Sequence, residues 1–126
     1  MESAKDELGR WGEKLASRFL ARQGYRILAR NAVLPAGELD IVAREGEELV
    51  FVEVKTRTSG EFGGPLGAVG PAKRRKIIQA ARCYLAQHRL GECPCRFDVV
   101  GVTCGEDGEE PEVELVRGAF SAGGRR

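Results

Sequence analysis

Gly37-Glu38-Leu39-Asp40-Ile41-Val42-Ala43-Arg44-Glu45-Gly46-Glu47-Glu48-Leu49-Val50-Phe51-Val52-Glu53-Val54-Lys55 reads as two β-strands joined by a polar turn. The runs on either side of Arg44-Glu45-Gly46-Glu47 are rich in β-branched and aromatic residues, and the glycine marks the hairpin. Side chains alternate along a strand. Glu38, Asp40 and Val42 are therefore expected on one face of the first run, with Leu39, Ile41 and Ala43 on the other. In the second run, Leu49, Phe51, Glu53 and Lys55 oppose Val50, Val52 and Val54. A two-residue loop pairing Arg44 with Glu47 sets Asp40 diagonal to Glu53. A four-residue loop pairing Arg44 with Leu49 sets the two directly across from each other. Both registers bring Asp40, Glu53 and Lys55 to one face; a three-residue loop or a bulge would separate them.

Ionised groups within strands that otherwise read as sheet core are costly to bury without a partner. Two adjacent carboxylates also repel. A divalent cation removes both penalties. Mg2+ takes hard oxygen ligands, usually one or two carboxylates with waters and substrate phosphate oxygens, and Mn2+ suits the same donors. Asp40 and Glu53 are the candidate ligands, with the Val54 carbonyl as a further donor. Lys55 would orient an attacking water or hold a phosphate. The alternative is a surface hairpin with a Lys–carboxylate pair, which contributes little energy.

Together with the Gly9-Arg10-Trp11-Gly12-Glu13 run near the N-terminus, these motifs resemble the YraN family of small bacterial proteins within the PD-(D/E)XK nuclease superfamily, related in fold to archaeal Holliday-junction resolvases. The similarity extends through 24–31, Phe62-Gly63-Gly64-Pro65, Lys73 to Ile77 and Arg96 to Val100. It implies an α/β (α+β) restriction-endonuclease-like core with a mixed sheet of about five strands flanked by helices. It also implies an active site of Glu13, Asp40, Glu53 and Lys55 around one metal, Mg2+ or Mn2+, with Glu13 a ligand directly or through water. Leu39 stands where many superfamily members have proline. Resolvase-like enzymes cut two strands in concert, so the resemblance also suggests a homodimer.

With 126 residues, 42% of them hydrophobic and 31% charged, the chain suits one soluble domain. We expect that domain over residues 1–120, with 121–126 as a frayed tail. No apolar run approaches membrane-spanning length and the first residues lack a signal core, so a cytoplasmic location without a membrane partner is expected.

Net charge is only +1, but it is segregated. Pro71 to Leu90 holds six Lys or Arg and no acid, whereas Gly105 to Glu114 holds six acids and no base. Gly70-Pro71 is a helix start, and Ile77, Ile78, Ala81, Tyr84 and Leu85 form an apolar stripe at helical spacing. Lys73, Arg74, Arg75 and Lys76 thus crowd a first turn where the helix dipole favours acids. Local helix stability does not explain them. A nucleic-acid backbone would, as would a plain solvated face; Arg10 joins this set as a phosphate-contact candidate. DNA is the expected partner, and these residues do not discriminate against RNA. The acidic stretch reads as a solvated loop.

A helix is expected from Ser3 or Asp6 to Arg22, ended by Gly24, with Leu8, Trp11, Gly12, Leu15, Ala16 and Phe19 on its apolar face. Glu13 sits at the edge of that face, where it can reach a cleft rim or simply face solvent. Five glycines between Thr58 and Gly70 suggest an irregular connection, read as a lid or as a connection without a role. Further strands are expected over Tyr25 to Val33, Arg96 to Thr103 and, more briefly, Glu112 to Arg117. Asp98 would support the site or lie at an edge.

Cys83, Cys93, Cys95 and Cys104, with His88, have spacing unlike a known zinc module, and reduced thiols are the expected state. Structural zinc and an adventitious disulfide are the alternatives. Three functional classes follow: a metal-dependent nuclease acting on DNA, with branched or structured DNA suggested by the resemblance; a nucleic-acid-binding scaffold on a nuclease fold; and a cysteine-based metal or interaction module.

Overall fold

The computed structural model describes residues 3–58, 69–106 and 109–122. Helix α1 spans Ala4–Arg22, followed by strands β1 (Arg26–Leu34), β2 (Gly37–Glu45) and β3 (Glu48–Arg57), helix α2 (Pro71–Gln87), and strands β4 (Cys95–Thr103) and β5 (Glu112–Phe120). One five-stranded sheet runs in the order β1-β2-β3-β4-β5. Only β3 and β4 are parallel, and α2 supplies the crossover that parallel neighbours require. The fold is therefore α+β, a mixed sheet flanked by helices, as expected. The strand at the C-terminal end is longer than its sequence suggested.

Ser3 caps α1 by accepting the Asp6 N–H, and the Asp6 carboxylate reaches back to the Ser3 N–H, forming a capping box. Ala16 and Leu20 are fully buried beneath this helix, against Ile41, Ala43, Val50, Val52, Val100 and Val102. At Gly12 an added Cβ would lie 1.8 Å from Thr56 Oγ1, so a bare backbone is what lets α1 approach β3. Helix α2 covers the opposite face through Ile77, Ala80, Ala81 and Tyr84, over Val42, Leu49, Phe51, Phe97 and Val99. Phe51 stacks on Phe97 and meets Tyr84 edge-on. His88 is the C-cap of α2 and stacks on Tyr84 at 4.0 Å.

The β2–β3 hairpin pairs Arg44 with Leu49 and closes at Glu45↔Glu48 around Gly46-Glu47. Gly46 has φ +59, the conformation a primed hairpin turn demands of its first residue. On β3 the expected alternation holds. On β2 it breaks: Leu39 packs with Val42 and Leu34 under α2, whereas Ile41 lies beneath α1. The sequence pattern grouped Leu39 with Ile41 and Ala43, and that assignment is corrected here. Across the strand pair, Asn31, between the Arg30↔Ile41 and Ala32↔Leu39 pairs, takes φ +54. Regular β2–β3 pairing stops at Ile41↔Val52, where the Asp40 side chain takes the Val54 N–H, so Leu39 lies beyond the β2–β3 ladder that enforces strict alternation.

Asp98 is fully buried on the α1 side, away from Glu53. It accepts hydrogen bonds from Tyr25 OH (2.7 Å), Arg96 Nε (2.9 Å) and the Gly118 N–H (2.9 Å). Arg96 also bonds Glu48 at 2.7 Å and Glu45 at 2.5 Å, and Arg117 joins Glu45 at 2.6 Å. Of the two sequence expectations for Asp98, neither an edge position nor direct support of the candidate site is found. It is the hub of a charge network joining four strands.

The glycine-rich segment read as a lid falls largely on residues 59–68, and the end of the expected tail on 123–126; both lie outside the described residues. Among the described residues no helix is long and apolar enough to cross a membrane. The four cysteines are free thiols, and no three His, Cys, Asp or Glu side chains among the described residues are grouped tightly enough to form a ready metal cage.

Candidate active site

The hairpin register runs toward Asp40 and Glu53 as the next opposed positions beyond Ile41↔Val52. At this end the backbone ladder is replaced by a side chain: Asp40 Oδ2 accepts the Val54 N–H at 2.8 Å. Glu53, only 6% exposed, lies beside it beneath the first turn of α2. Burial raises the Asp40 carboxyl above its ordinary value, opposed by the Val54 N–H, by Glu53 and by the charges of Lys73 and Lys55. Glu53 is pushed up to about 7 by burial and then by the Asp40 charge, despite the pull of Lys73. Both carboxyl groups are thus raised above their ordinary values, chiefly by burial.

Lys73 Nζ lies 3.1 Å from Glu53 Oε2. The charge of Glu53 raises the Lys73 ammonium above its ordinary value, against partial burial. A cavity of about 310 Å³ opens over the pair, lined by Glu38, Asp40, Glu53, Lys73, Lys76 and Ile77 together with the β1–β2 turn. A second, shallower cavity continues from it along α1, past Asp6, Gly9, Arg10, Glu13 and Asn31; Glu38 and Lys73 border both.

Glu13 enters from α1. Burial and the nearby Asp40 charge raise its carboxyl, while a hydrogen bond from Asn31 lowers it. Its Oε1 is buried without a hydrogen-bond partner, an unsatisfied acceptor of the kind that calls for an explanation. Glu13 of α1 and Glu53 of β3 thus each lie within electrostatic reach of Asp40 of β2, without the three forming a ready metal cage. Lys55 is exposed, near enough to Asp40 for its charge to act there.

The four basic residues of α2 divide. Lys73 and Lys76 face the cavity, and Arg75 is exposed. Arg74 turns away: its Nε donates to the Val69 carbonyl at 2.7 Å and its guanidinium lies over the Phe120 ring. Sequence reasoning did not single out Glu38 or Asn31 for the site. An asparagine inside a strand pattern was the available signal, because asparagine tolerates left-handed backbone better than most residues.

Residues 12–102 match the Uncharacterised protein family UPF0102. A UPF0102 protein of Syntrophotalea carbinolica is 53% identical over 117 residues, covering 93% of this chain and 94% of the relative. One from Anaeromyxobacter dehalogenans is 51% identical over 121 residues, covering 96% and 89%. Among solved structures, Pyrococcus furiosus SfsA in complex with Ca2+ is 15% identical with a TM-score of 0.40, and the match spans 90% of this chain but 63% of that one. Family match and near full-length relatives agree with the motif resemblance read from the hairpin, and the chain belongs to the UPF0102 (YraN) family.

Proposed function

We propose that this protein is a Mg2+- or Mn2+-dependent nuclease that hydrolyses phosphodiester bonds in DNA, with branched or otherwise structured DNA as the preferred substrate. The observation that carries the reading is the pairing of half-buried Asp40 with buried Glu53, facing a cavity bordered by cations. Two carboxylates suffice for Mg2+, which keeps several waters and takes the remaining oxygens from substrate. The donor set fits: both side chains offer hard oxygens, and Glu13 brings a third carboxylate with a buried, unpartnered oxygen. Asp40 and Glu53 would hold the ion, with Glu13 completing the set directly or through water. When bound, the ion supplies Lewis-acid stabilisation of charge on the transferring phosphoryl group.

The remaining chemistry belongs to the chain. The Val54 N–H fixes the Asp40 carboxylate, leaving its other oxygen for the ion. Lys55 orients the attacking water and helps to remove its proton. Lys76, with Arg75 on the exposed side of the same turn, draws the phosphate backbone toward the cavity; Arg10 extends that track along α1. A homodimer would supply two such sites for paired cuts.

The test is cleavage of labelled single-stranded, duplex, flap and four-way-junction DNA with Mg2+, Mn2+ or chelator, comparing wild type with Asp40→Asn. Cutting that requires both the metal and Asp40 is expected. Binding without cutting would leave a nucleic-acid-binding module instead.

A further inference from the structure

The ion pair found at Glu53 is with Lys73 of α2, not with Lys55 two residues along its own strand. Three observations make this pair informative. Glu53 is 6% exposed whereas Lys73 is 53% exposed, so the carboxylate cannot turn to water but the ammonium can. Lys73 sits in the first turn of a helix that has no acid there and no side-chain cap, where the dipole disfavours a cation, so α2 gains nothing locally from it. Lys73 also borders both cavities, standing between the Asp40–Glu53 pair and the track that leads to Glu13.

We infer that Lys73 is a place-holding cation. It neutralises Glu53 until a divalent ion arrives, is displaced by that ion, and then holds substrate phosphate beside it. This deepens the nuclease reading and rests on its metal pair. A lysine suits the role because its compact charge rides on a flexible stem and leaves at little cost.

The role gives readouts of opposite sign, which ordinary structural support would not. Lys73→Met removes the competitor, so Mn2+ titrated by calorimetry should bind the metal-free protein more tightly, by roughly fivefold to tenfold. The same variant should unfold at a lower temperature than wild type without metal, and recover when Mn2+ is added. With Ca2+ replacing Mg2+ to prevent cutting, it should bind duplex DNA more weakly, and its log–log salt slope should fall by about one. Lys73→Gln, which keeps a polar tip, should show the same metal effect and guards against a packing artefact of methionine. Equal or weaker Mn2+ affinity in both variants overturns the inference, as does unchanged DNA affinity and salt slope. A wild-type protein that binds Mn2+ yet cuts no DNA would end the nuclease reading while leaving the place-holding role intact.

Discussion

Asp40 Oδ2 accepts the Val54 N–H at 2.8 Å, so the aspartate of β2 is bonded to the residue that separates Glu53 from Lys55 on β3. Asp40 therefore has two separable duties: it satisfies a backbone donor, and it offers charge to a cation. Asp40→Asn keeps an acceptor for Val54 and removes the charge. It should retain wild-type stability or gain slightly, while metal-dependent cleavage falls by about two orders of magnitude or more. Asp40→Ala should lose the same activity and also about 1–3 kcal/mol of stability, because the Val54 N–H is left unpaired. Denaturant titration of both variants beside cleavage rates separates the two duties.

Glu53 sets a pH dependence whose sign is fixed. Its carboxyl rises from an ordinary 4.5 to about 7 in the folded protein, so between those values the native state binds more protons than the unfolded chain. Stability conferred by the protonated form is full below about 4.5 and declines as pH rises through 7, by roughly 3 kcal/mol in all. Without divalent metal, wild type should lose stability across this window, and Glu53→Gln should show a flatter profile. Added Mn2+ at pH 8 should restore wild type and leave the variant nearly unchanged. A wild-type stability profile that rises from pH 5 to 8 would contradict the buried-pair account.

The basic turn of α2 should respond residue by residue. Arg75→Glu and Lys76→Glu should weaken DNA binding and shallow its salt dependence with little effect on folding. Arg74→Glu should act mainly on stability, because it breaks the bond to the Val69 carbonyl and the contact with Phe120. Filter binding at several salt concentrations, alongside thermal unfolding, distinguishes these outcomes.

Arg96→Met leaves the fully buried Asp98 short of its charged partner and should cost on the order of 3–5 kcal/mol. Tyr25→Phe removes the hydrogen bond donated to Asp98 and the two accepted from Arg96 and Arg117, and should cost about 1–3 kcal/mol. Neither residue borders the candidate active site, so the folded fraction of each variant should cleave at the wild-type rate. Unfolding curves combined with rates per folded molecule check both.

Gly12→Ala drives a Cβ into Thr56 and should cost about 1–3 kcal/mol. Thr56→Ala in the same chain should recover part of that loss, and a double-mutant cycle measures how much.

Much of this architecture is legible in the chain because β3 is an unbroken alternation: Phe51 and Glu53 must share a side once Val50, Val52 and Val54 face α1. The β2–β3 pairing was narrowed to registers that keep Asp40 near Glu53, and the observed one follows from a glycine that permits a tight turn. Where the reading failed, the cause was nonlocal. Leu39 lies beyond the point where the β2–β3 ladder ends, at Ile41↔Val52, and a period of two cannot register that. The basic turn of α2 was visible as a charge cluster, but its division into cavity-facing Lys73 and Lys76 and an inward-bonded Arg74 depends on how α2 lies over β3 and β5. Asp98 was the hardest to assign, since its partners come from positions 25, 96 and 118.

That same Asp98 network has a consequence for how the chain folds. Its hydrogen bonds join residues 73 and 92 positions apart, from Tyr25 to Asp98 and from Arg117 to Tyr25. A chain leaving the ribosome therefore carries Asp98 without the Gly118 N–H, and Tyr25 and Glu45 without Arg117, until β5 emerges. Such long loops close late and slow folding. Completion of β5 is the event that locks the sheet, and chains ending before Gly118 should remain loosely packed and open to proteolysis.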